Sequence, residues 1–343
     1  QCPGKKVRTQ VLSIKPGTQA LASRGRPAVH PQWEQNIFQY CKGRETRLKA
    51  LEWGAPFTYA SLAGDEATAP GQWTTVQMRE AVYGSFRPFG GGKTLQMPAS
   101  KSFAQRAILA AALAEGVSTL RGYQPCADSE AAVSAVRALG AEVHRRGDVL
   151  TVKGIGPLDG QLGLESIAVG ESGLLTRLMI PVLARICRGP VTVEGSGTLL
   201  NRPLSGANDI MAAFGVVLSN LGRQARKDVF VPLRIDGSLL PGRADISGKG
   251  GSQLISGLLM ALPLAEKNSA LFVHEPRSIP YMFITLDVLR KFGIRIANEM
   301  EGDEEFLETR DWSLCTAVNF KIRGGQRYEA ASFDIEGDWS GAA

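Results

Sequence analysis

"MPASKSFAQRAILAAALAEG" (residues 97–116) joins a short run of small and polar residues to an alanine-rich segment. Ala and Leu are strong helix formers, and no Gly or Pro interrupts residues 99–115, so the stretch predicts a buried helix. Its start is unexpectedly polar. Ser100 suits the N-cap, where a hydroxyl accepts from a first-turn amide. Lys101, Ser102 and Arg106 then exceed what so short a loop needs for itself. A helix N-terminus presents unpaired N–H groups and the positive end of the helix dipole, a setting that favours anions.

The same pattern recurs downstream. "AVSAVRALGAEV", "IMAAFGVVL" and "LDVLRKFGIRI" each place an apolar helix before a glycine (Gly140, Gly215, Gly293) and β-type residues after it. The partner helices repeat as well: "GESGLLTRLMIPVLARICRG" and "KGGSQLISGLLMALPLAEK" also open on small or hydroxyl residues. Three units, each with two helices and several strands, are expected to turn three helix N-termini towards one region. A fourth unit is expected to start at "GDWSGAA" (residues 337–343).

Composition bounds the function. A chain of 343 residues suffices for two domains. No apolar run reaches the ~18–20 residues of a membrane span; residues 173–186, the most apolar, contain Thr176, Arg177 and Arg185. The five cysteines are scattered and so are the three histidines, which argues against a metal site and fits reduced thiols in a cytoplasm. A net charge of +6 with dispersed Lys and Arg, and no aromatic-interleaved stripe, fits small anionic ligands better than nucleic acid. Residues 84–93 read as a Pro- and Gly-rich linker. "GGGKT" (90–94) is not a phosphate-binding P-loop, because Arg87 stands where that motif requires glycine. The chain opens on Gln1 with no signal segment, so a fragment of a longer polypeptide is expected.

"PASKSFAQR" resembles the P-x-S-K-S-x-x-x-R signature of the EPSP synthase family (5-enolpyruvylshikimate-3-phosphate synthases). Further landmarks follow in order: "GESGLLTR" (170–177), "NRP" (201–203), "GSQ" (251–253), "SIPY" (278–281) and "GDWSGA" (337–342). The resemblance implies an α/β fold in which residues 93–337 form one lobe of three repeated βαβαββ units, an inside-out α/β barrel. Residues 338–343 would begin a second lobe. It also implies transfer of the enolpyruvyl group of phosphoenolpyruvate to the 5-hydroxyl of shikimate 3-phosphate, with no cofactor and no metal. Lys101, Ser102, Arg106, Ser252, Gln253, Ser278 and Tyr281 would hold shikimate 3-phosphate. Lys101, Gly173, Arg202 and Gln253 would hold phosphoenolpyruvate, with Lys101 the catalytic residue. Arg177 suits either a structural or a substrate-facing role.

Glu171, Leu174 and Gly251 depart from the family's pattern. A carboxylate at 171 is expected to oppose an anionic substrate. The second lobe, with its acid–base carboxylates, is the expected intramolecular partner, and without it this chain is expected to be inactive. Two alternatives are weighed. A UDP-amino-sugar enolpyruvyl transferase lacks the Ser-Lys-Ser-x-x-x-Arg pairing. A non-catalytic remnant that binds shikimate 3-phosphate is suggested by the departures and the truncation.

Residues 42–82, "KGRETRLKALEWGAPFTYASLAGDEATAPGQWTTVQMREAV", resemble the end of a type I 3-dehydroquinate dehydratase. The matching marks are Gly-x-x-Thr-Arg, Pro-Phe-Thr-Tyr and Ala-Pro-Gly-Gln. The resemblance implies that Arg47, Thr68 and Gln72 are substrate residues and that residues 1–83 end a partial (β/α)₈ barrel, with 84–92 as linker. Its Schiff-base lysine is not assigned to Lys5 or Lys6. Both families serve the shikimate pathway, so a fused, cytoplasmic polypeptide is expected.

Overall fold

The computed structural model describes residues 97–157, 162–222, 228–309 and 311–338, with the backbone of one short strand, β1 (Arg8–Gln10). The chain divides into two units, Pro16–Gln96 and Gln1–Lys15 with Met97–Ala343, and the described residues all belong to the second. The dehydratase-like segment with Arg47, Thr68 and Gln72, the linker, the "GGGKT" stretch and residues 339–343 lie outside the described residues.

The first repeat runs through helix α1 (Lys101–Leu113), strand β2 (Val117–Arg121), helix α2 (Ala127–Ala138) and the hairpin β3 (Glu142–Arg146) and β4 (Val149–Lys153). The second holds β5 (Ser166–Ala168), α3 (Gly173–Ile186), β6 (Val191–Glu194), α4 (Ala207–Ala212), β7 (Val217–Asn220) and β8 (Leu233–Asp236). The third holds β9 (Arg243–Ser247), α5 (Ser252–Ala261), β10 (Ser269–His274), α6 (Ile279–Lys291) and β11 (Ile296–Gly302). A short α7 (Glu304–Thr309) then leads to β12 (Cys315–Ile322), and β13 (Ser332–Asp334) follows.

Each repeat owns a sheet of one design. The orders are β5-β6-β8-β7 and β9-β10-β12-β11, with β1 added beside β11 in the latter. In both, the first pair is parallel and spans a helix crossover, and the other pairs are antiparallel. The first repeat differs from the sequence expectation. Among the described residues its outer strand is β13, parallel to β2 in the register Ser332↔Thr119. An open strand edge leaves N–H and C=O groups unpaired, and β13 satisfies them on β2. Phe333 of β13 anchors the closure, its ring 6.3 Å from those of both Phe103 and Phe292. The third repeat thereby closes onto the first.

The helices α1, α3 and α5 form the centre. Residues 107–112 of α1 are buried on every side, which explains why all are apolar and four are alanine. Between α3 and α5 the backbones meet at Gly257, where a Cβ would lie 2.5 Å from the carbonyl of Arg177. Polar residues tie the centre together. Gln105 of α1 accepts from the hydroxyl of Ser172, which caps α3 by accepting from Leu175 N at 3.2 Å.

The three repeat glycines end their helices in one way. Gly140, Gly215 and Gly293 have φ of 103°, 76° and 83°. The residue after each bonds back five positions, Ala141 to Val136, Val216 to Met211 and Ile294 to Leu289, at 2.9–3.1 Å. This is the six-to-one bond of a Schellman cap, which needs a left-handed residue at its centre. At Gly140 a Cβ would meet nothing closer than Ile155 at 3.6 Å, so backbone strain alone opposes a side chain. Gly140→Ala is therefore expected to lower unfolding stability by about 1–2 kcal/mol. Gly293→Ala should lose about as much, because the Glu329 side chain that its Cβ would meet at 2.9 Å is exposed and can swing away. Urea unfolding midpoints at unchanged slope check both.

Candidate functional site

The N-termini of α1, α3 and α5 open onto one cavity of about 690 Å³. Lys101 and Ser102 come from α1, Gly173 and Leu174 from α3, and Ser252 and Gln253 from α5. Ser278 and Tyr281, at the start of α6, and Thr198 and Arg202, from the 3₁₀ turn Gly197–Asn201 and its end, complete the wall. All nine residues expected from the sequence at the two substrate sites of this lobe line this single cavity. Arg177 lines it too.

Three of the four helix starts carry no side-chain cap. Ser100 occupies the N-cap of α1 as expected, yet its hydroxyl makes no capping bond. Gly251 precedes α5 with no side chain to offer. Ser278 precedes α6 at φ 54° and makes no capping bond. A start without a side-chain cap leaves first-turn amides to a ligand or solvent, though at α6 Pro280 has no N–H and Tyr281 N already donates to the Ser278 carbonyl at 3.0 Å. A non-Gly residue in left-handed backbone costs about 1–3 kcal/mol and persists only where its surroundings impose it.

Charge favours the same ligand. Among the described residues, Lys101, Arg106, Arg177 and Arg202 line the cavity against two carboxylates, Asp128 and Glu171. Lys101 Nζ lies 3.4 Å from Asp128 Oδ2, with both side chains reaching solvent. Such an exposed pair holds little energy and yields readily to a stronger anion.

Arg106 is the unusual group, fully buried at the cavity floor. Its Nε donates to Thr285 Oγ1 at 2.7 Å and Nη1 to the Ser102 carbonyl at 2.9 Å. Nη2 donates to Ser256 Oγ and to the Tyr281 carbonyl, both at 3.3 Å. All four acceptors are neutral, and among the described residues no carboxylate pairs with the guanidinium. Burial pulls its pKa down to about 10, which still leaves it cationic at neutral pH. Of five N–H groups, one on Nη1 stays uncommitted. A buried cation without a counter-ion is costly, so this floor is set for an anion.

Glu171 departs from expectation. Its Oε2 accepts from Thr198 N at 2.9 Å and from Thr198 Oγ1 at 3.0 Å, so the charge is engaged rather than bare. These bonds, with the nearby Arg202, hold its carboxyl below the ordinary glutamate range. Arg177 donates to the carbonyls of Gly173 and Pro203 at 3.0 and 3.1 Å, and burial lowers its pKa.

Sequence inspection missed Gln105, which lines the cavity, and Thr285 and Ser256, which work behind its wall. For Ser256 and Thr285 the signal was present as a hydroxyl within a largely apolar helix stretch, "LISGLLM" and "MFITLDV"; Gln105 adjoins Arg106 in "SFAQRAIL". Thr198 carried no such signal. Among the described residues no cluster of His, Cys, Asp and Glu could hold a metal, and no helix is long and apolar enough to cross a membrane.

Comparison with known proteins points one way. A family model described as EPSP synthase (3-phosphoshikimate 1-carboxyvinyltransferase) matches residues 92–343. The 3-phosphoshikimate 1-carboxyvinyltransferase of Methanobrevibacter smithii is 32% identical over 256 residues, which cover 74% of this chain and 56% of that protein. That of Clostridium novyi is 30% identical over 257 residues, covering 73% and 54%. The chain thus spans little more than half the length of these relatives. Among solved structures, an EPSP synthase from Acinetobacter baumannii aligns at a TM-score of 0.56 with 22% identity, over 72% of this chain and 51% of that one, a likeness of fold.

Thr285→Val keeps the shape of its buried site but removes the acceptor of Arg106 Nε. It is expected to lower unfolding stability by about 1.5–3 kcal/mol, the scale of a buried hydrogen bond to a charge, measured by urea titration. A second expectation concerns pH. A carboxyl whose folded pKa is depressed contributes stability above its unfolded pKa and loses it as pH falls through the folded value. The Thr198 amide resonance should therefore titrate with a midpoint below the ordinary glutamate range, and Glu171→Gln should abolish that titration.

Proposed function

This chain belongs to the EPSP synthase family, and from that premise we propose that its cavity binds shikimate 3-phosphate and phosphoenolpyruvate for enolpyruvyl transfer. In that reaction the 5-hydroxyl oxygen bonds to the enolpyruvyl carbon, the bond from that carbon to the phosphate oxygen breaks, and phosphate leaves with, in the net balance, the hydroxyl proton. Both substrates are polyanions. The observation that carries the reading is the convergence of uncapped helix N-termini and four cationic side chains on one cavity.

In this reading Ser102, Arg106, Ser252, Gln253, Ser278 and Tyr281 hold shikimate 3-phosphate. Arg106 offers its uncommitted N–H and its charge from the floor, where low dielectric strengthens both. Arg202 and Gln253 hold phosphoenolpyruvate, and Gly173 lets it approach the start of α3. Lys101, exposed between the two subsites and lightly held by Asp128, contacts both and stabilises charge that develops during transfer. A second lobe, as the family resemblance implies, closes over this cavity and brings the acid–base carboxylates. Residues 42–82 extend the proposal: their motifs support a type I 3-dehydroquinate dehydratase end, with Arg47, Thr68 and Gln72 as its substrate residues, fused to the synthase in one shikimate-pathway polypeptide.

Calorimetric titration of the full chain with shikimate 3-phosphate tests the assignment. Saturable binding is expected, and Lys101→Ala and Gln253→Ala, both at accessible positions, should weaken it by at least about tenfold, the loss of one charge-assisted contact. Absence of heat with the folded wild-type chain, or unchanged affinity in both variants, would sink it.

A further inference from the structure

Glu171 stands beside the proposed phosphoenolpyruvate subsite, where a bare carboxylate opposes binding. Its bonding gives it a different task. An ionised carboxylate only accepts hydrogen bonds, and a threonine hydroxyl has one proton. The Thr198 proton therefore goes to Glu171 Oε2 at 3.0 Å, which leaves the Thr198 oxygen to accept from Arg202 Nη2 at 3.0 Å. The backbone amide of Thr198 adds a second bond to the same carboxylate oxygen at 2.9 Å. Direction along the chain Arg202, Thr198, Glu171 is thus set by the charge at its end.

The neighbouring backbone is shaped for this contact. Gly197 has φ 54°, and a Cβ there would overlap the carboxylate of Glu171. Arg202 is also close enough to Arg177 for the like charges to be felt, adding to the burial that lowers the Arg177 pKa. Two arginines on one cavity wall repel, and the carboxylate of Glu171 offsets that repulsion.

We propose that Glu171 is a positioning residue which, acting through Thr198, holds the Arg202 guanidinium on the cavity wall in readiness for a phosphate- or carboxylate-bearing ligand. The proposal rests on the reading of Arg202 as an anion ligand. It reverses the sign expected of an added carboxylate: removing Glu171 weakens anion binding, because the gain from lost repulsion, screened by water and salt, is smaller than the loss of a fixed Arg202.

The test uses the full chain with Glu171→Ala, Glu171→Gln and Thr198→Val, and Thr198→Ser as the conservative rescue. Nitrogen-15 relaxation of the arginine Nε–H groups reads side-chain order without any ligand. Order at Arg202 should fall in Glu171→Ala and Thr198→Val and return in Thr198→Ser, while Arg106 stays unchanged. In titrations with inorganic phosphate, and with phosphoenolpyruvate in the presence of shikimate 3-phosphate, affinity should fall about twofold to fivefold in Glu171→Ala, the scale of an exposed ion contact. Glu171→Gln, which keeps an acceptor but no charge, should lie between Ala and wild type. Tighter binding in Glu171→Ala, or Arg202 order indifferent to Glu171 and Thr198, overturns the proposal. A folded wild-type chain that binds neither probe overturns the substrate assignment instead, and the Arg202 relaxation then decides this proposal alone.

Discussion

Arg106 places a full positive charge at the base of the cavity with only neutral groups around it, and the surrounding helices are arranged by that constraint. Its acceptors come from α1, α5 and α6, so the first and third repeats are joined by one guanidinium. The adjacent Gln105 joins α1 to α3 through Ser172, which brings in the second repeat. Two successive residues of one helix thus hold three helix starts in register. Buried polar groups of this kind are unfavourable unless fully bonded, so they admit few alternative packings. The charge that remains after bonding is available to a ligand.

The repeats supply the geometry around that charge. Each long helix is closed at its C-terminal end by a left-handed glycine or backed by a neighbour so closed, and the partner helix starts at the cavity. Small residues let α1, α3 and α5 approach, as at Gly257, and bring their N-terminal amides together. In effect the fold gathers several weak positive ends into one place, where they act with Lys101, Arg177 and Arg202. None of these contributions is large alone at a solvent-facing wall. Their sum over one polyanion is what the architecture provides.

Glu171 shows how charge and position can disagree. Counted by residue type it subtracts from an anion site. Bonded to Thr198 and lying against Gly197, it instead sets the direction of a hydrogen-bond chain that ends on Arg202. The same side chain has opposite meanings according to which of its neighbours it meets.

Much of this lobe is legible in the amino-acid sequence because it depends on local chemistry. Positive-φ glycines at 140, 215 and 293 announce helix ends, hydroxyl and small residues announce helix starts, and the Ser-Lys-Ser-x-x-x-Arg spacing puts its groups on one turn and a half of helix. Those signals give three repeats, and the family resemblance carried by the motifs gives the nine cavity residues. What only the tertiary structure decided are the contacts between residues far apart in the chain. These include the closure of the first sheet by β13, the burial of Arg106 against Thr285 and Ser256, the hydroxyl of Ser100 left without a capping bond, and the turn of Glu171 onto Thr198. Periodicity and spacing report on one element at a time. The partner of a strand edge or of a charged side chain depends on which element the packed fold brings alongside, and that is a property of the whole lobe.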